Sequence, residues 1–279
     1  QSAASRWQES RQSRVRGRRA TVSLSSMVQP VTTYQVDPHD PRAPAQEVWD
    51  RLGPAQRQRV LDALPSEIDR VAPPEGDAHS IPKLLARQTL EEHFRRIGRR
   101  AYLASELPVY YPGEPMFAPD LLAVLDTEPQ ERDHWTVSHE GRGLDVVLEI
   151  HVHGSAAKDF EDNVARYAAL GIPEYFAYAP RRQRLVGWRL ASAGARTYDP
   201  IAPHEGRWRS ALLGLDLALE DGRLRFYHGS AALLDATELI ARLGAMADAA
   251  TRRAEQEAQR AERYAARLQQ AGIDPDEID

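Results

Sequence analysis

The sequence predicts an α/β fold: a mixed central sheet flanked by helices, followed by a C-terminal helical, coiled-coil-like tail. Three observations predict it. Two apolar runs, "VVLEIHVHG" at 146–154 and "YFAYAP" at 175–180, have the aliphatic and aromatic density of strands buried on both faces. Between them, residues 158–170 carry the pattern of a helix. Beyond Gly244 the chain runs to residue 270 without Gly or Pro, and Ala254, Ala258, Ala261, Ala265 and Leu268 step by 4, 3, 4 and 3, a seam of small residues at heptad spacing.

The elements follow in order. Residues 1–26 are rich in Arg and Ser, poor in acid and without hydrophobic period. A transit peptide, a nucleic-acid-binding arm, or a disordered segment read from an upstream start all fit them. With the Pro-rich lead-in they form a segment, 1–44, outside the fold. "PAQEVWDRLGPAQRQRVLDAL" predicts one or two short helices with Val48, Trp49, Leu52, Val60, Leu61 and Leu64 on the apolar face. A helix from about His79 to Gly98 is expected to turn Ile81, Leu84, Leu85, Leu90, Phe94 and Ile97 inward, to tolerate Pro82 in its first turn and to stop at the glycine. Strands are expected in "RAYLASELPVYYPG", "FAPDLLAVLD" and "LDVVLEIHVHG", with a polar loop at 127–143. After the 158–170 helix, "YFAYAP" and "QRLVGWRL" read as a hairpin across "RRQ", and Asp221-Gly222 marks a second hairpin. The main domain is thus 45–232 and the tail 233–279, a helix in want of a partner or a solvated single helix.

Composition narrows the function. The chain has no cysteine, which removes disulfides, thiolate ligands and a cysteine nucleophile and fits a reducing cytoplasm. No apolar run approaches the roughly 18 residues of a membrane span. Of the net charge of −5, residues 1–26 hold +5 (six arginines against Glu9), which leaves −10 on the rest. An acidic body is poor non-specific glue for phosphates. No Walker loop, GxGxxG, HExxH or GxSxG motif is present, and the His-x-His of "HVHG" alone is weak evidence for zinc.

Chemistry concentrates on two carboxylates. Asp120 opens "DLLAVLD" after Pro119, and Glu149 interrupts the most apolar strand. If those strands are neighbours, the two converge on one point and form a hard, oxygen-rich site of the kind Mg²⁺ or Mn²⁺ prefers. The alternative is that Asp120 caps a turn and Glu149 pairs with an arginine. Asp126 and Asp145 fall at strand ends, where a solvated carboxylate is routine.

The ordered set "FAPDLLAV", "LDVVLEIHVHG" and "KDFEDNVARYAALGIPEYFAYAPRRQRLVGWRL" resembles the Uma family of restriction endonucleases, within the PD-(D/E)xK nuclease superfamily, over about residues 60–230. The tail "AERYAARLQQAGIDPDEI" also resembles a C-terminal helix that many members carry. The resemblance implies a restriction-endonuclease-like sheet, Asp120 and Glu149 as metal ligands, Mg²⁺ or Mn²⁺ as cofactor, DNA as partner, and His79 at the border of the site. It also exposes a departure. The superfamily lysine often stands two residues past the Glu, where this chain has His151, or on the next helix four residues before the Tyr, where it has Asn163. Asp159, Asn163 and Tyr167 share a helix face that carries no cation. Lys158 and His151 are the candidate stand-ins; His153, on the face of Glu149 and His151, reads as a strand-end histidine near the mouth. Arg95, Arg96, Arg99 and Arg100 in one cluster, and Arg181, Arg182 and Arg184 in another, are candidate phosphate contacts or merely soluble ends. The expected function is a divalent-metal-dependent DNA endonuclease, dimeric through its tail. The alternative is a degenerate nuclease fold that serves as a binding or assembly module.

Overall fold

The computed structural model describes residues 33–67, 76–152 and 158–272. The basic segment 1–26, His153 and the acidic end of the tail lie outside them. The elements are α1 (Gln46–Arg51), α2 (Pro54–Ala63), α3 (Asp77–Arg96), β1 (Ala101–Ala104), β2 (Val109–Tyr110), β3 (Leu121–Leu125), β4 (Trp135–Thr136), α4 (Val137–Glu140), β5 (Val146–Ile150), α5 (Asn163–Ala169), β6 (Glu174–Ala179), β7 (Arg184–Leu190), β8 (Tyr198–Pro200), β9 (Arg207–Ser210), β10 (Leu215–Glu220), β11 (Arg223–His228), β12 (Ala231–Ala232) and α6 (Ala236–Gln270).

The central sheet has six strands in the order β1-β3-β5-β6-β7-β8. Only β5 and β6 run parallel, and a helical crossover joins them, as parallel neighbours require. Its first turn, Lys158–Asp162, is π-helical and leads directly into α5. β5 is apolar at every position but Glu149 because both its faces are covered. Val146, Leu148 and Ile150 face a core shared with Ala86, Leu90 and Phe94 of α3 and with Leu215, Leu217 and Phe226 of a second sheet, β12-β11-β10-β9. Val147 faces the opposite core, with Tyr167 of α5, Leu122, Tyr175 and Trp135. α1 and α2 close a third cluster around Tyr110. The loop expected at 127–143 contains the two-residue β4 and the one-turn α4.

Both predicted hairpins form. β6 pairs antiparallel with β7 across residues 180–183, and β10 with β11 across Asp221 and Gly222, both at positive φ, the geometry a two-residue hairpin turn needs. The Tyr178 hydroxyl donates to the Gly222 carbonyl at 2.7 Å and ties the second hairpin to the first.

α3 ends as expected at Gly98: the Arg99 N–H reaches the Phe94 carbonyl and the Gly98 N–H the Arg95 carbonyl, closing a Schellman motif. Its inward face differs from the expectation. Ile81, Leu84 and Ile97 are 49%, 53% and 52% exposed, while Lys83, Ala86, Thr89, Leu90, His93 and Phe94 are buried. The stripe that packs on the sheet passes through Lys83, so hydrophobicity alone misplaced it. α6 begins on a capping box between Asp235 and Glu238 and buries none of its 35 residues. Among the described residues no helix is long and apolar enough to cross a membrane.

Candidate active site

β3 and β5 are adjacent and antiparallel. Continuing their register one step beyond the Leu121–Leu148 pair sets Asp120 opposite Glu149. Both side chains lie on the face covered by α5, by the alternation that points Leu122 and Val147 that way. The Ile150 N–H donates to Asp120 Oδ2 at 2.7 Å, and the Asp120 N–H donates to Glu149 Oε2 at 3.4 Å. The carboxylate thus takes the place of a ladder partner where β3 starts and β5 ends.

Glu149 is 6% exposed, and Oε1 accepts from the Tyr167 hydroxyl at 2.6 Å. Burial first, then the charge of Asp120, hold its carboxyl well above the usual carboxylate range; Tyr167 opposes this and Asp159 adds to it. The Tyr167 hydroxyl is itself raised by burial and by Glu149. Two carboxylates facing each other out of water form an electrostatic arrangement that a cation relieves.

Around Asp120 the donor set widens. His79, in the first turn of α3, places Nε2 at 3.1 Å from Asp120 Oδ2. Glu106, held at positive φ just after β1, brings a third group: one ligand atom from each of His79, Glu106 and Asp120 lies within 4.8 Å of the others. Lys83, one helical turn after His79, donates to Glu106 Oε1 at 2.7 Å from a buried position. An oxygen-rich set with one imidazole fits Mg²⁺ or Mn²⁺ by ligand type.

A second chain of contacts leads in from the crossover helix. Asp159 is buried in the π-helical turn; Oδ2 lies 2.8 Å from His151 Nδ1, Oδ1 accepts from Asn163 at 3.3 Å, and its carbonyl accepts from Tyr175 at 2.6 Å. A carboxylate oxygen accepts, so in a neutral imidazole this contact places the proton on His151 Nδ1 and the lone pair on Nε2.

The structure therefore gathers Asp120, Glu149, His151, Asp159, Asn163, Tyr167 and His79 at one edge of the sheet. It does not bring in Lys158, which is exposed and bonds no described residue. Arg181 and Arg182, on the turn after β6, and Arg184, which opens β7, are exposed at the edge where β5 ends, with Arg184 stacked over Phe160 at 4.4 Å. The other arginine cluster lies at the opposite end of the strands. Arg95 pairs with Glu92, Arg99 with Asp126 and Arg100 with Glu128. Asp145 sits at that end too, accepting from the Leu125 N–H and paired with Arg142.

Sequence reasoning missed Lys83 and Glu106. A signal for Lys83 existed: a lysine four residues after His79, in register with Ala86, Leu90 and His93, is a charge on an inward stripe. Glu106 left none, since its place depends on a left-handed backbone turn.

Comparison with known proteins gives three findings. No curated protein matches the chain. A crystal structure from Anabaena variabilis ATCC 29413, titled "a putative nuclease belonging to DUF820", is similar at 14% identity and a TM-score of 0.38, over 50% of this chain and 75% of that one. The model of the Uma2 family, described as "Putative restriction endonuclease", matches residues 64–220. That span exceeds half of the chain and contains every residue of the carboxylate cluster, so the chain belongs to the Uma2 family.

Proposed function

We propose that the protein is a divalent-metal-dependent DNA endonuclease that hydrolyses phosphodiester bonds at the β3–β5 edge. The observation that carries this reading is the apposition of Asp120 and Glu149, with Glu149 buried against a second carboxylate and no arginine paired with it among the described residues. Asp120 and Glu149 would hold Mg²⁺ or Mn²⁺, with His79 and Glu106 able to complete the set. Held there, a divalent cation would supply Lewis-acid chemistry for phosphodiester hydrolysis. His151, oriented by Asp159, offers Nε2 to take the proton of an attacking water. Lys83 brings a buried ammonium beside the cluster, placed to offset charge that develops on the phosphate. These two residues divide the work of the lysine that Asn163 does not supply. Arg181, Arg182 and Lys158, exposed near the same edge, suit the flanking phosphates.

A second reading has its own support. The helix face of Asp159, Asn163 and Tyr167 carries no cation, and Lys158 points into solvent, which fits a nuclease fold retained as a binding module. The test is cleavage of supercoiled plasmid by the full chain with Mg²⁺ or Mn²⁺, beside Asp120→Ala and Glu149→Ala. Nicking that both variants lose supports the endonuclease. No cleavage across plasmids of varied sequence, with a Mn²⁺-dependent rise in Tm that Glu149→Ala abolishes, supports the binding module.

A further inference from the structure

Ile240, Leu243, Met246 and Tyr264 are 70%, 57%, 62% and 52% exposed; they include the three most heavily exposed large hydrophobic side chains among the described residues, and all four lie on α6. Three stand in its first third and one in its last. We propose that two copies of this chain pair antiparallel through α6, about a two-fold axis at Ala254.

The sequence of the helix sets this register. At 100° per residue, Ile240, Leu243, Ala247, Ala250, Ala254, Ala258, Ala261, Ala265 and Leu268 all fall within about 40° of one line along the helix. Their spacing, 3, 4, 3, 4, 4, 3, 4, 3, reads the same in both directions. A two-fold interface presents the same patch on both partners, and a palindromic seam meets that demand when the second helix runs the other way. Ile240 then faces the partner's Leu268, Leu243 the partner's Ala265, and alanine meets alanine between them, so every seam position meets an apolar residue.

The flanks agree. On one side of the seam lie Met246, Arg253, Glu257 and Tyr264. The two-fold sets Met246 beside the partner's Tyr264, a sulfur–aromatic contact, and Arg253 beside the partner's Glu257. All four exposed side chains are covered and the charges match. A parallel pair would set Glu257 against the partner's Glu255 and Glu262 and leave Met246 and Tyr264 against polar residues. It would also crowd two bodies at one end of the rod, since α6 joins the body at its start, where Glu238 meets Arg225 and Thr237 lines a cavity with α3.

This inference is independent of the nuclease reading. The experiment begins with sedimentation equilibrium of the full chain, expected at twice the 31.3 kDa chain mass. Because the chain has no cysteine, each introduced thiol is the only one. An Ala247→Cys chain is mixed with an Ala261→Cys chain that carries a tag of different mass, and the mixture is oxidised. Cross-links between unlike chains are expected. Cross-links only between like chains would replace the antiparallel arrangement with a parallel one, and a monomer at every concentration would overturn the pairing. Leu243→Asp, at a site exposed in the single chain, is expected to abolish the dimer while leaving the helical circular dichroism of the chain unchanged.

Discussion

Glu149 keeps its carboxyl group out of water and beside a second carboxylate, so the folded chain holds its proton more tightly than the unfolded chain does. The sign follows. Below the ordinary carboxylate pKa of about 4.3 the group is neutral in both states, and the folded state keeps its full stability. As pH rises through the higher folded value, the unfolded chain has already released its proton and the folded state loses ground. In EDTA, Tm is therefore expected to fall as pH rises from 4 toward neutrality, and Glu149→Gln to flatten that decline and to be the more stable chain at pH 7. A Glu149→Gln melting curve that tracks the wild type at every pH would refute the argument. Metal binding, which needs the deprotonated pair, runs the other way and strengthens with pH. His151→Ala is expected to reduce single-turnover cleavage by roughly 10²–10⁴-fold if Nε2 is the base, and to leave the Mn²⁺-induced rise in Tm in place. Lys83→Met tests the other stand-in: it is expected to lower the single-turnover rate and to leave the Mn²⁺-induced rise in Tm in place.

At the scale of elements, β7 passes so close to β6 that a side chain has no room at residue 187. A Cβ added at Gly187 would lie 2.6 Å from Phe176 Cε1 and 3.2 Å from Ile201 Cδ1. Gly187→Ala is expected to destabilise the fold by about 1–3 kcal/mol, the usual scale of overpacking, as read by urea unfolding. α3 gives the complementary contrast. Leu90→Ala should remove about 2–5 kcal/mol, whereas Leu84→Ser, on the exposed side, should stay within about 0.5 kcal/mol. The same helix shows where the sequence was legible. Its span, its glycine stop and Phe94 and Leu90 as anchors could be read from pattern, as could β5, β6, β7 and both hairpins, because local turn chemistry and apolar runs specify them. Ile81 and Leu84 were misread because the stripe turns on Lys83, whose burial depends on Glu106 across a loop. Asp120 and Glu149 were legible as types and positions. Their apposition rests on the β3–β5 register, which no local pattern encodes.

For the molecule as a whole, α6 would set, in the proposed dimer, how the two candidate sites are spaced. From Ala236 to the proposed axis at Ala254 is 18 residues, so the two helix starts would stand roughly 54 Å apart, about 16 base pairs at 3.4 Å each. With the two bodies at opposite ends of such a rod, the two candidate sites are expected to act one at a time. Open-circular plasmid should accumulate well before the linear form, and Leu243→Asp should nick at the rate of the wild type; linear product formed in one step by the wild type and lost in that variant would show that the sites act together. The carboxylate pair also bears on how the chain assembles. Were β3 to dock one residue out of step, every side chain of the strand would change faces. Asp120 would enter the leucine-rich layer under α3, and Glu149 would lose its bond from the Asp120 N–H. A charge stranded there without a partner costs several kcal/mol, so the residues proposed to cut DNA also proofread the sheet that carries them.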